Sequence, residues 1–112
     1  MKGILRKKAA AVCAATVMGA LFLGGCSEER KTGTLTVGVR DDVMNFGYLN
    51  ETTGKYYGLE IDIAAELADR MGYAEVEYVT VTPDTRKDML LNDEVDCLIA
   101  TYSIADTRKE NF

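Results

Sequence analysis

The chain has 112 residues, with 13 Lys or Arg against 18 Asp or Glu and a formal net charge of −5 at pH 7. It contains no histidine, which removes His-based catalytic triads, His–Cys zinc sites and the usual general base at neutral pH. The acidic balance argues against nucleic acid or a polybasic membrane patch as partner, but it leaves room for an anionic ligand wherever arginines cluster locally.

At the N-terminus, Lys2, Arg6, Lys7 and Lys8 precede an apolar run from Ala9 to Leu23, which closes in Leu23-Gly24-Gly25-Cys26. Positive charge holds the N-terminus on the cytoplasmic side while the apolar run enters the membrane as an export signal. An uncleaved anchor helix is the alternative, but the run is short against the ~20 residues of a full span. Residues 1–25 are therefore expected to be a lipoprotein signal peptide. Cys26 is expected to carry the lipid, a palmitate-type anchor, and residues 26–33 to form a tether. The signal holds four of the 13 basic residues and none of the acidic ones, so the remaining 87 residues carry 9 basic against 18 acidic side chains, net −9. That length suits one small domain. Cys13 leaves with the signal and Cys26 is modified. Cys97 then has no partner for a disulfide and is expected to be a small buried hydrophobe.

The regular pattern begins at Thr34. Leu35, Val37 and Val39 alternate with Thr34, Thr36 and Gly38 as a first strand. Residues 41–55 read as a loop rich in turn residues, with Thr53-Gly54-Lys55 as the tip of a small hairpin between 46–49 and 56–58. Residues 60–71 are the clearest helix. Ile63, Ala64, Leu67, Ala68 and Met71 share one face at steps of three and four, and Glu60, Glu66, Asp69 and Arg70 lie mostly on the other. Asp62 near the helix N-terminus suits the dipole, and Gly72 supplies the stop. Residues 75–81 read as a second strand. Thr82-Pro83-Asp84 is a helix start with Thr as cap and Pro at the first position, for a helix running to about Asn92. Residues 95–100 form a third, nearly all-apolar strand.

Strand–helix–strand–helix–strand order predicts an α/β fold with a mainly parallel sheet. Ligands of open parallel sheets bind beyond the carboxyl ends of the strands. Three loops should meet there: Arg40 to Tyr48, Thr82 to Arg86, and Thr101 to Arg108. The third offers hydroxyls and backbone amides and then a guanidinium, the groups that hold carboxylate oxygens. The second adds Arg86. The first adds Arg40, the acidic pair Asp41 and Asp42, and the rings of Phe46 and Tyr48. Taken singly, each has a plainer reading: solvated arginines, capping hydroxyls, aromatic rings packed under a loop, and acids decorating a turn. Convergence on one sheet edge is what favours a site.

The segments Leu35-Thr-Val-Gly-Val-Arg40, Phe46-Gly47-Tyr48, Gly58-Leu-Glu-Ile-Asp62, Arg86, Glu94-Val-Asp96 and Ala100-Thr-Tyr-Ser-Ile104, followed by Arg108-Lys109, occur in this order behind the lipidation motif. Together they resemble the N-terminal portion of the extracellular solute-binding proteins of family 3, which feed polar amino acids to ABC importers. The resemblance runs from Leu35 to Phe112. It implies a periplasmic-binding-protein type II-like lobe, residues 34–112, truncated at its C-terminus and with the second lobe missing. It implies no catalytic residue, metal or cofactor, and a monomer that delivers its ligand to a membrane permease from an extracytoplasmic, lipid-anchored position. By the same resemblance, Arg108 binds the ligand α-carboxylate, assisted by Thr101 and Ser103 after Ala100. Arg86 and Arg40 meet the side chain, favouring glutamate, aspartate or glutamine, and Phe46 and Tyr48 line the site.

The chain departs from the family pattern in four places. Asn45 stands where many relatives have Pro, Asp93 where Gly is frequent, Ala105 for a common Thr, and Thr107 for a common Glu. Two other functions fit the same fold: a dehydratase-type enzyme, which would rely on Asp41 or Asp42, and the ligand-sensing module of a membrane receptor.

Overall fold

The structure, a computed structural model, describes residues 30–112. The export segment and Cys26 lie outside them. Strand β1 (Thr34–Val39) is the centre of a three-stranded sheet. Along one side it pairs in parallel with β5 (Glu75–Thr80), Thr34 opposite Glu75 and Val39 opposite Thr80. Along the other it pairs in parallel with β6 (Cys97–Ile99), Val37 opposite Cys97. The expected α/β lobe with a parallel sheet is therefore present, with spatial order β5-β1-β6.

Between β1 and the first helix, residues read as loop and hairpin form a second, antiparallel sheet. Its strands are β2 (Asp42–Val43), β3 (Gly47–Asn50) and β4 (Lys55–Tyr57). The β3–β4 hairpin matches the expectation, but its turn is organised by Asn50. The Asn50 Oδ1 accepts from the amides of Thr52 at 3.0 Å and Thr53 at 3.1 Å, an Asx turn that the side chain imposes locally. Strand β2 was not legible, because two residues give no period to read.

Helix α1 (Leu59–Arg70) follows. Its N-cap, Gly58, has no side chain to accept from the first amides, so these find backbone acceptors. Leu59 N donates to Asn45 O at 2.8 Å and Glu60 N to Phe46 O at 2.9 Å, which satisfies orphan donors of the helix start. The predicted face of α1 needs correction. Ile61, Ala64 and Ala68 are buried with Leu35, Val37 and Val39, whereas Ile63, Leu67 and Met71 are exposed at 47%, 36% and 57%. The helix is turned so that its small residues meet the sheet. Two alanines let the helix axis approach β1 closely, and Ile61 fills the space near the helix start. Choosing the face richest in large apolar residues ignored this size constraint. Glu60, expected on the solvated face, is only 9% exposed.

Residues 83–85 form a turn before α2 (Arg86–Leu91), a later start than the one expected at Pro83. Thr82 and Thr85 cap each other: Thr82 N donates to Thr85 Oγ1 at 3.0 Å and Thr85 N to Thr82 Oγ1 at 3.2 Å. A short helix α3 (Asp106–Lys109) forms within the segment read as the third loop. Among the described residues three non-glycine residues have positive φ: Asn45 at 68°, Asp93 at 59° and Thr101 at 50°. Asn and Asp tolerate this region best among non-glycine residues. Cys97 is a free, half-buried thiol packed against the core, and burial raises its pKa.

Candidate functional site

The carboxyl ends of β1, β5 and β6 lead into Arg40, Thr82 and Ala100. The parallel register sets these ends side by side, so the loops that follow share an edge. Their centre is Tyr102. The guanidinium carbon of Arg86 lies 4.1 Å from its ring centroid and that of Arg108 lies 4.5 Å away, both within cation–π range. The ring also meets Phe112 edge-on at 6.0 Å. Tyr102, Ser103, Ile104, Ala105 and Arg108 line an open concavity there.

Arg86 is buried to 6% exposure at the first position of α2. Its Nη1 donates to Ala100 O at 2.7 Å and to Thr101 O at 3.3 Å. Burial lowers its pKa, and the nearby charges of Arg108 and Arg40 act in the same direction. The side chain stays charged, as guanidinium does in proteins. Arg108, on α3, gives Nη1 to Ser103 O at 2.7 Å. Ala100 is buried, while Thr101 and Ser103 are exposed.

Arg40 is half-buried and tied to Asp42. Nε donates to Oδ1 at 2.9 Å and Nη2 to Oδ2 at 2.8 Å, a two-pronged fork. This hydrogen bonding raises the Arg40 pKa and lowers that of Asp42. Phe46 is exposed, and its carbonyl holds the start of α1. Tyr48 is exposed and lines a different, acidic concavity with Asp41, Asp42, Asn50 and Glu51. The structure therefore gathers Arg86, Arg108, Ala100, Thr101 and Ser103 around one ring. Arg40 reaches them through its charge, and Tyr48 stands apart.

Two members of this edge were missed in the sequence. Tyr102 was visible only as an aromatic residue between two hydroxyls. Glu60 was read as a solvated charge, yet its Oε1 accepts from Thr101 N at 2.6 Å. That contact joins residues 41 positions apart, and no local period reports it. Among the described residues no group of three His, Cys, Asp or Glu side chains is arranged to hold a metal ion, and no helix is long and apolar enough to cross a membrane.

The profile of the bacterial extracellular solute-binding proteins, family 3, matches residues 35–112. The chain is 43% identical over 83 residues to a glutamine-binding protein of Geobacillus stearothermophilus, covering 72% of this chain and 32% of the relative. It is 35% identical over 98 residues to the ABC transporter glutamine-binding protein GlnH of Bacillus subtilis, covering 78% of this chain and 36% of the relative. The chain thus spans about a third of the length of these relatives. Among solved structures it resembles the arginine-bound form of domain 1 from TmArgBP, with TM-score 0.64 and 33% identity over 70% of this chain and 60% of that one. It also resembles AncCDT-1, an ancestral amino acid-binding protein described as a precursor of cyclohexadienyl dehydratase, with TM-score 0.65 and 33% identity over 70% of this chain and 34% of that one. With a profile match over most of its length, and with its parallel sheet and arginine-lined edge in place, the chain belongs to the bacterial extracellular solute-binding proteins of family 3.

Proposed function

We propose that the Tyr102 edge is the lobe-1 wall of a polar amino-acid site, and that Arg108 holds the ligand α-carboxylate with Thr101 and Ser103 beside it. The observation that carries this reading is the state of the three arginines. Asp42 occupies the fork of Arg40, and two loop carbonyls occupy Nη1 of Arg86. Among the described residues Arg108 gives one donor to Ser103 O, which leaves other donors of its planar fork for a carboxylate. Because Arg40 is already neutralised, an acidic side chain gains less here than a count of three arginines suggests. Glutamine is therefore placed level with or ahead of glutamate and aspartate. The names of the two glutamine-binding relatives point the same way. Ala100 supplies a buried backbone carbonyl that anchors Arg86, and Phe46 and Tyr48 are assigned to the rim.

In this reading the protein is a monomer that works outside the cytoplasm, tethered through Cys26 after removal of residues 1–25, and delivers its ligand to an ABC permease. Its role is binding, not turnover. The dehydratase alternative relies on Asp41 or Asp42, and Arg40 holds the Asp42 carboxyl below its usual range, which disfavours Asp42 as the acid. Domain 1 of a relative has an arginine-bound form, and this chain covers 60% of it, which supports testing the chain by itself.

Titration of the labelled chain with glutamine, glutamate, aspartate and lysine, followed by amide NMR, tests the assignment. Saturable shifts confined to residues 100–108 and strongest for glutamine are expected. Losing a charged partner of this kind costs about 2 kcal/mol or more, so Arg108→Ala should weaken binding roughly 30-fold. Absence of saturable shifts with every amino acid, or an unaltered Arg108→Ala, refutes it.

A further inference from the structure

Glu60 is a charged residue in the first turn of an amphipathic helix, where solvent is its ordinary environment. Here it is 9% exposed, and its second carboxylate oxygen, Oε2, is buried without a hydrogen-bond partner among the described residues. Burying a carboxylate that is only half satisfied is unfavourable, so packing alone does not account for its place. Its Oε1 accepts from Thr101 N at 2.6 Å. Thr101 is itself an outlier, a β-branched residue at φ 50°. That region disfavours branched side chains and persists only where the surroundings enforce it.

The other half of the arrangement is Arg86. Its Nη1 reaches Ala100 O at 2.7 Å. Ala100 O and Thr101 N belong to one peptide group. A trans peptide directs its carbonyl and its N–H to opposite sides, and no cis bond is present among the described residues. The cation therefore grips the negative end of the peptide dipole and the anion grips the positive end, each from its own side of the chain. This explains why two opposite charges lie close enough for Glu60 to act against the lowering of the Arg86 pKa yet form no ion pair with each other among the described residues. Arg86 also keeps one buried atom, Nε, without a partner among them. Each side chain has given up part of its hydrogen bonding to hold the same peptide.

We propose that Glu60 and Arg86 form a two-sided brace on the Ala100–Thr101 peptide, which makes Glu60 a positioning residue for the loop 101–103. The brace holds Thr101 in its left-handed conformation and so sets the direction in which the Thr101 and Ser103 groups leave the sheet edge. The conformational half stands on the contacts alone. Its consequence for affinity rests on the ligand site proposed above. The charges that act alongside Glu60 are Arg40, from the end of β1, and Arg86, from α2.

Amide and carboxyl NMR on the full chain separates these halves. In the wild type, the Thr101 amide proton should titrate with the same midpoint as the Glu60 carboxyl carbon. Glu60→Ala should speed hydrogen exchange at Thr101 by about tenfold or more, the loss expected for a hydrogen bond to a charged group, with Val37 and Val39 amides still protected. Glu60→Gln retains an acceptor and should restore most of that protection, and with it most of the glutamine affinity lost in the Ala variant. If Glu60→Ala fails to fold, the wild-type titration and Glu60→Gln decide. A Thr101 amide that ignores both the Glu60 titration and the substitution overturns the brace, whether or not glutamine binds. A Thr101 amide that responds in a chain that binds no amino acid supports the brace and overturns the ligand site.

Discussion

Gly58→Ala tests how the start of α1 is held. Gly58 sits at φ 127° and ψ 173°, a region open essentially to glycine alone. Forcing another residue there costs about 1–3 kcal/mol. The new Cβ would also lie 2.3 Å from Phe46 O, 2.5 Å from Phe46 C and 2.9 Å from Asn45 C. These are backbone atoms, so no side-chain rotation relieves the overlap, and overpacking of this kind adds about 1–3 kcal/mol. Moving the 45–46 turn aside is no escape, because its two carbonyls cap Leu59 N and Glu60 N. A loss of roughly 2–6 kcal/mol is expected from these two terms. Gly54→Ala is the control: its φ is 68°, but nothing lies within 4 Å of an added Cβ. Left-handed strain alone predicts a loss of about 1–2 kcal/mol there. Urea unfolding followed by circular dichroism compares the two. With a slope of about 1–3 kcal/mol/M, Gly58→Ala should lower the midpoint by ~1 M or more beyond the control. Equal midpoints for the two variants would refute the claim that Phe46 blocks this position.

The rotation of α1 is checked by a pair of truncations. Ile61→Ala, at a position 7% exposed, should cost about 2–5 kcal/mol, whereas Ile63→Ala, at 47% exposure, should cost under ~1 kcal/mol in the same unfolding assay. The Arg40–Asp42 fork favours the charged form of Asp42. Any stability it adds is present above the ordinary carboxylate pKa of 3.8 and is lost as pH falls through the lower, folded-state value. Carboxyl NMR should find Asp42 titrating below its usual range, with Arg40→Ala returning it upward; an unmoved midpoint argues that the fork is absent in solution. Cys26→Ser should abolish metabolic labelling with palmitate, and equal labelling of wild type and variant excludes Cys26 as the anchor.

Much of the fold was legible because its causes are local. Alternation at 34–39, the 60–71 period and the apolar third strand each report a neighbour-to-neighbour pattern, whereas Thr82-Pro83 marked a turn and the helix itself begins at Arg86. Strand–helix alternation then requires the loops after β1, β5 and β6 to share an edge, as found for Arg40, Arg86 and Arg108. What the sequence could not determine is what those side chains hold. Arg86 faces two carbonyls, Arg40 is neutralised by Asp42, and Glu60 leaves the solvated face of α1 to reach a residue 41 positions away. The rotation of α1 belongs with these, because it depends on how closely Ala64 and Ala68 let the helix approach β1. The physical reason is common to all of them. Periodicity measures which residues share a face. The partner of a buried charge, and the distance between two packed elements, depend on atoms far away along the chain that only the folded structure brings near.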